Sequence, residues 1–144
     1  MLLGQYEHTI DEKNRLTLPA KFRKSFAGGL VLTRGIDRCV AVYPRAEWDR
    51  RVALRLGELE GLSRDDRRLQ RFFFASATEA DLDGQGRVMV PGSLLQHAGL
   101  EREVTVAGVN DHLEIWDRAA WRTEMHEVEG SAEDVAERLA GKRD

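Results

Sequence analysis

Apolar and polar residues alternate along this chain in short runs that come in matched sets. Leu16 and Leu18 alternate with Arg15 and Thr17, and Val88 and Val90 alternate with Arg87 and Met89. Period-two alternation is the mark of a strand with one buried face. Each run follows the same spacing, Asp-x-x-x-Arg: Asp11 to Arg15 and Asp83 to Arg87. Each closes on a proline, Pro19 or Pro91, which has no N–H to donate to a ladder. These matched positions stand 72 residues apart. Farther along, Val31 to Trp48 aligns with Val104 to Trp121 at an offset of 73, with Gly35 on Gly108, Asp37 on Asn110, Arg45 on Arg118 and Trp48 on Trp121. Two blocks in the same order at nearly the same offset mark an internal duplication.

The two copies predict the same elements. Between the Asp and the Arg lies turn chemistry: Gly84 and Gly86 in the second copy, Asn14 at the place of Gly86 in the first. Gly and Asn take positive φ most readily, so each Asp-x-x-x-Arg reads as a β-hairpin tip. A short helix follows each proline, Ala20 to Phe26 and Ser93 to Ala98. A second hairpin follows in each copy, Leu30–Arg34 with Cys39–Tyr43 and Val104–Ala107 with Leu113–Trp116. Its turns carry Gly, Asp and Asn. Pro44 opens a helix in copy one, and Asp117 is an N-cap candidate in copy two. Between the copies, Ser63-Arg-Asp-Asp66 resembles a capping box and opens a helix to about Ala75. The expected organisation is a first repeat with its following helix over 1–62, a connecting helix over 63–75, a second repeat over 76–126 and an acidic tail over 127–144. That tail is expected to be a frayed or helical appendage.

Charge changes the picture through its distribution. The net charge is −3. Residues 1–75 hold 15 Lys and Arg against 10 Asp and Glu, whereas residues 76–144 hold 7 against 15. A polyanion would therefore meet the first half. No apolar run approaches the ~18 residues of a membrane span, and Met1 to Tyr6 lack the basic, apolar and cleavage regions of a secretory signal. A single cysteine, Cys39, forms no internal disulfide, and a cytoplasmic location fits.

Catalytic and metal chemistry find no support in the sequence. His8, His97, His112, His126 and Cys39 show no metal-ligand spacing. No phosphate loop or nucleophile elbow occurs, and no cofactor is implied. Cys39 reads as a buried thiol in a strand. Asp11 and Asp83 read as turn-stabilising carboxylates that accept backbone N–H bonds or pair with Arg15 and Arg87. The face of Arg64, Arg67, Arg68 and Arg71 reads as solvated or paired with nearby acids. Phe72, Phe73 and Phe74 point to three sides of a helix, so they are assigned to core and a subunit contact, and Trp48 and Trp121 to core anchors.

The two-copy layout, the run Asp11-Glu-Lys-Asn-Arg-Leu-Thr-Leu-Pro-Ala-Lys-Phe-Arg23, the segment Gln96-His-Ala-Gly-Leu100 and the paired tryptophans resemble the MraZ family over roughly residues 1–125. The family has Gly where this chain has Asn14. The resemblance implies a mainly β fold with flanking helices (α+β), made of two tandem AbrB-like swapped-hairpin units that form one pseudo-twofold β-barrel. It implies ring-shaped homo-oligomers and binding to repeated double-stranded DNA elements upstream of the division and cell-wall gene cluster, its own promoter included, with nucleoid association. It also implies that Arg15 reads bases, because arginine on a β-ribbon in the major groove bonds bidentately to guanine. Asn14, in the turn beside it, is counted among the DNA-binding residues. Lys13, Lys21, Arg23 and Lys24 surround Arg15 in sequence and are assigned phosphate contacts. Arg87 is the DNA-binding candidate of copy two but has uncharged neighbours, Gln85, Ser93 and Gln96, so copy one is expected to supply most of the affinity, with Arg87 contributing less or being structural. Two other readings stand beside this one. One is an oligomeric protein-interaction scaffold, for which the rRNA methyltransferase encoded beside such genes is a conceivable partner. The other is an antitoxin-like AbrB protein, which is usually a shorter single-copy chain.

Overall fold

A computed structural model describes residues 1–143, so Asp144 at the end of the expected tail lies outside the described residues. Among the described residues, eight strands form two antiparallel sheets. The larger contains β1 (Leu2–Thr9), β7 (Glu103–Asn110), β8 (Leu113–Asp117), β4 (Val40–Pro44), β3 (Leu30–Arg34) and β5 (Thr78–Ala80), in that order. The smaller is a two-stranded ribbon of β2 (Arg15–Thr17) and β6 (Arg87–Met89). The order is symmetric with respect to the duplication: β4 and β8 pair at the centre, and the leading strand of each copy pairs in the other copy. β1 lies on β7, β5 on β3, and β2 on β6.

The sheet is open, contrary to the expected barrel. β1 and β5 are its two edges. The strands that would continue it turn away at Asp11 and Asp83 and pair with each other, and a lone Ile10–Leu16 bridge ties the ribbon back to β1. Three-residue strands ended by Pro19 and Pro91 are too short to span from one edge to the other.

The core lies between the ribbon, the sheet and the short helices. Leu16, Leu18, Val88 and Val90 bury the inner side of the ribbon segments. Phe22 from α1 (Ala20–Arg23), Phe26 from the 3₁₀ turn Lys24–Phe26 and Leu94 from α5 (Gly92–Ala98) pack onto Leu30, Leu32, Val104 and Ile115 of the sheet. Burying each such side chain contributes about 1.5–3 kcal/mol.

The connecting region is helical, as α2 (Arg45–Glu47), a π-helical stretch Trp48–Ala53, α3 (Leu54–Gly57) and α4 (Arg64–Phe74). Ser63 caps α4, its Oγ accepting from Asp66 N at 3.0 Å. The α4 arginines are exposed, and Arg67 donates to the Gly61 and Leu62 carbonyls. Asp117 caps the last helix by accepting from Ala120 N at 3.0 Å. That helix, α6 (Arg118–Arg143), runs without a break through the expected boundary at residue 127. Four side chains sit differently from expectation. Trp48 is buried, but Trp121 is half-buried, edge-on to Trp116 at 5.6 Å with its Nε1 donating to Gln5. Phe72 and Phe73 are half-buried and Phe74 is exposed, so none of the three is a core residue in this chain.

Candidate nucleic-acid interface

The two Asp-x-x-x-Arg turns fold alike, bond for bond. In the first, Asp11 Oδ1 accepts from Lys13 N at 2.8 Å and Arg15 N at 2.9 Å, and Oδ2 accepts from Arg15 Nε at 2.8 Å. In the second, Asp83 Oδ1 accepts from Gln85 N and Arg87 N, both at 2.9 Å, and Oδ2 accepts from Arg87 Nε at 2.8 Å. Backbone bonds close each turn: Asp11 N to Arg15 O at 2.9 Å and Asp83 N to Arg87 O at 3.0 Å. Asn14 and Gly86 take positive φ, 61° and 77°. The backbone N–H of Arg87, followed by its guanidinium, holds the Asp83 carboxyl down at about 2. The backbone N–H of Arg15 likewise lowers the Asp11 carboxyl. Neither carboxyl is therefore placed to act as an acid near neutrality.

The ribbon sets the direction of the arginines. Arg15 pairs with Met89, Leu16 with Val88 and Thr17 with Arg87. Leu16 and Val88 are buried, so strand alternation turns Arg15, Thr17, Arg87 and Met89 to the opposite, outer face. Arg15 and Arg87 are 28% and 30% exposed. They occupy diagonal positions, about 7–8 Å apart by ladder geometry. Among the described residues, both side chains hydrogen-bond through Nε alone, which leaves their terminal nitrogens outward.

Two of the cations near Arg15 in sequence, Lys21 and Arg23, are engaged elsewhere. Arg23 donates Nε to the Leu18 carbonyl at 3.0 Å and lies over Gly86, in the turn of the other copy. A Cβ at Gly86 would collide with that guanidinium, so this glycine serves both a positive φ and a close approach. The place equivalent to Arg23 in copy two is Leu95, which lines a groove beside Asn14 with Glu101, Arg102, Glu103 and Asp117. Lys21 Nζ sits 5.3 Å from the Tyr6 ring centroid and 5.4 Å from that of Phe22. Lys13 and Lys24 are exposed. The expected contrast, a cationic copy one and a neutral copy two, is therefore redistributed in space. Cross-copy pairing carries Arg23 to the Arg87 turn and brings acidic residues of copy two to the Arg15 turn. The ladder register sets Thr17 and Met89 beside the arginines on the outer face, in line with the alternation around Leu16 and Val88.

Cys39 is buried, and burial pushes its thiol up. Among the described residues no cluster of His, Cys, Asp and Glu could hold a metal ion, and no helix is long and apolar enough to cross a membrane.

A duplicated α+β chain with two aspartate-held arginines on one β-ribbon face belongs, as a class, to tandem-repeat β-ribbon proteins. More narrowly, the chain is a member of the MraZ family. The family profile, described as "MraZ protein, putative antitoxin-like", matches residues 1–72 and again 73–143. The chain is 41% identical over 139 residues to the transcriptional regulator MraZ of Pediococcus pentosaceus, covering 96% of each chain. It is 42% identical, with the same coverage, to the proteins of that name from Thermoanaerobacter sp. and Thermoanaerobacter pseudethanolicus. The family is one of transcriptional regulators and not of enzymes.

Proposed function

We propose that this chain is a sequence-specific transcriptional regulator that lays its β2–β6 ribbon in the major groove of double-stranded DNA. The observation that carries this reading is the outer ribbon face, where Arg15 and Arg87 are each held through Nε by an aspartate. A two-stranded ribbon fits a major groove about 12 Å wide, and guanidinium nitrogens reach guanine O6 and N7. Tying Nε to a carboxylate restricts the rotation of each arginine and aims its remaining donors. The diagonal spacing of about 7–8 Å corresponds to roughly two base-pair steps. Lys13, Lys24 and the free nitrogens of Arg23 supply phosphate contacts, which position the protein without reading sequence. Asn14 and Gly86 let the turns approach the backbone.

In the same reading, the cross-copy pairing of β1 and β5 is that of AbrB-like swapped hairpins completed within one chain. The DNA consists of short repeated elements upstream of the division and cell-wall gene cluster, the regulator's own promoter included. Ring-shaped homo-oligomers, associated with the nucleoid, raise the effective concentration of each further ribbon once one is bound. The test is fluorescence-anisotropy binding to DNA from upstream of the protein's own operon against scrambled DNA, across a salt series, for wild type and Arg15→Ala. The expected result is a specific complex that weakens with salt and collapses in Arg15→Ala. Equal, weak binding to both DNAs, indifferent to the substitution, defeats the reading.

A further inference from the structure

The ribbon does not account for α6, a 26-residue helix that outruns the body it is attached to. Its larger apolar residues, Trp121, Met125, Val128, Val135 and Leu139, fall on one stripe with Ala132, spaced alternately by four and three. That is an unbroken heptad stripe over three repeats. Trp121 and Met125 are half-buried against the sheet. From there outward the stripe is bare: Val128 is 41%, Val135 37% and Leu139 56% exposed. Beside its inner end lies a groove of about 420 Å³, lined by Gln5, Glu7, Thr105, Trp121, Met125 and Glu129.

We propose that α6 pairs antiparallel with α6 of a second copy of this chain, about a twofold axis through Gly130. In that register Trp121 faces Leu139 of the partner subunit, Met125 faces Val135 of the partner subunit, and Val128 faces Ala132 of the partner subunit, each repeated by symmetry. The flanking charges select this arrangement. Glu124 and Arg138 hold the same heptad position two repeats apart, so antiparallel pairing sets Glu124 beside Arg138 of the partner subunit twice over. A parallel pair would instead set Glu124 against Glu129 of the partner subunit. Glu129 beside its own mate is the single like-charge contact on these flanks. Such a contact is isologous and closes on itself, whereas the contacts of a ring run head to tail.

Cross-linking of the full-length protein with a short bis-maleimide tests the pair. At 1.5 Å of rise per residue, two cysteines at position 129 would stand about 3 Å apart along the axis, and two at 142 about 36 Å apart. Glu129→Cys is expected to yield covalent dimer and Lys142→Cys none. The wild type, whose Cys39 is buried, serves as the unreactive control. Adding Glu124→Lys or Arg138→Glu singly to Glu129→Cys is expected to lower the dimer yield roughly ten-fold, and adding both to restore it. None of these positions belongs to the core: Glu124 is half-buried, and Glu129, Arg138 and Lys142 are exposed. Cross-linking at both positions would mean a parallel pair and overturns the proposal. So does cross-linking at neither position. Failure of the double charge reversal to rescue also overturns it, and points to another occupant, such as the arginine face of α4. No DNA enters the experiment, so its outcome is separate from that of the DNA-binding reading.

Discussion

The turn at Asp11 and the turn at Asp83 have the same hydrogen bonds but different surroundings. Each carboxylate accepts two backbone N–H bonds and an arginine Nε, at distances that agree to within 0.1 Å. Around the first lie Leu95, Glu101, Arg102 and Asp117 from copy two, and around the second lies Arg23 from copy one. Duplication conserved what is local to each turn and exchanged what packs against it. The residue at the turn apex follows this exchange. Asn14 keeps a side chain where Leu95 is the neighbour, and Gly86 cannot carry one where Arg23 is.

The largest test removes what the turns share. Leu16 and Val88 face each other across the ribbon centre with 0% and 3% exposure. Leu16→Ala is expected to cost about 2–5 kcal/mol in urea unfolding and to loosen both turns together. Amide exchange that quickened at one turn and not the other would break the equivalence. Next come the arginines. Arg15→Ala and Arg87→Ala are each expected to cost about 1–3 kcal/mol of specific DNA binding, measured by anisotropy, and to agree within roughly three-fold in affinity. A loss confined to Arg15 would restore the contrast that the sequence suggested. Gly86→Ala should destabilise by about 1–2 kcal/mol through its positive φ, with displacement of Arg23 added to that, while Asn14→Gly should leave the melting temperature nearly unchanged. The smallest effect is that of pH. Folding lowers the Asp83 carboxyl from 3.8 to about 2, so its turn bonds stabilise fully above 3.8 and are lost as pH falls toward 2. Amide shifts of Gln85 and Arg87 followed by NMR should titrate in that window. Movement between pH 5 and 7 instead would show that the carboxylate is not held as described.

The duplication, the hairpin tips, the proline-ended strands, the capped helix at Ser63 and the Asp–Arg partnership were all legible in the sequence. Each depends on contacts spanning a few residues, such as a carboxylate reaching an N–H four positions on, or a buried face repeating every second residue. The charge asymmetry counts residues along the chain and does not say where they meet in space. Arg23 is eight residues from Arg15 in the chain, but its guanidinium rests on a turn more than sixty residues away. The barrel was an expectation that the family resemblance carried, not the strand pattern. Strand patterning says which face of β1 and β5 is buried, but not whether those edges find partners.

What the sequence by itself determined is the set of parts: two copies, their turns, their strands and the arginine at the head of each ribbon strand. Steric limits on φ, side-chain hydrogen bonds to nearby N–H groups and the period of two act within a turn or a strand, and so are written locally. Only the tertiary structure decided that the copies interleave, that the six-stranded sheet stays open, and that each turn is finished by residues of the other copy. Those outcomes depend on which distant apolar faces bury each other, and that burial is a property of the whole packed chain.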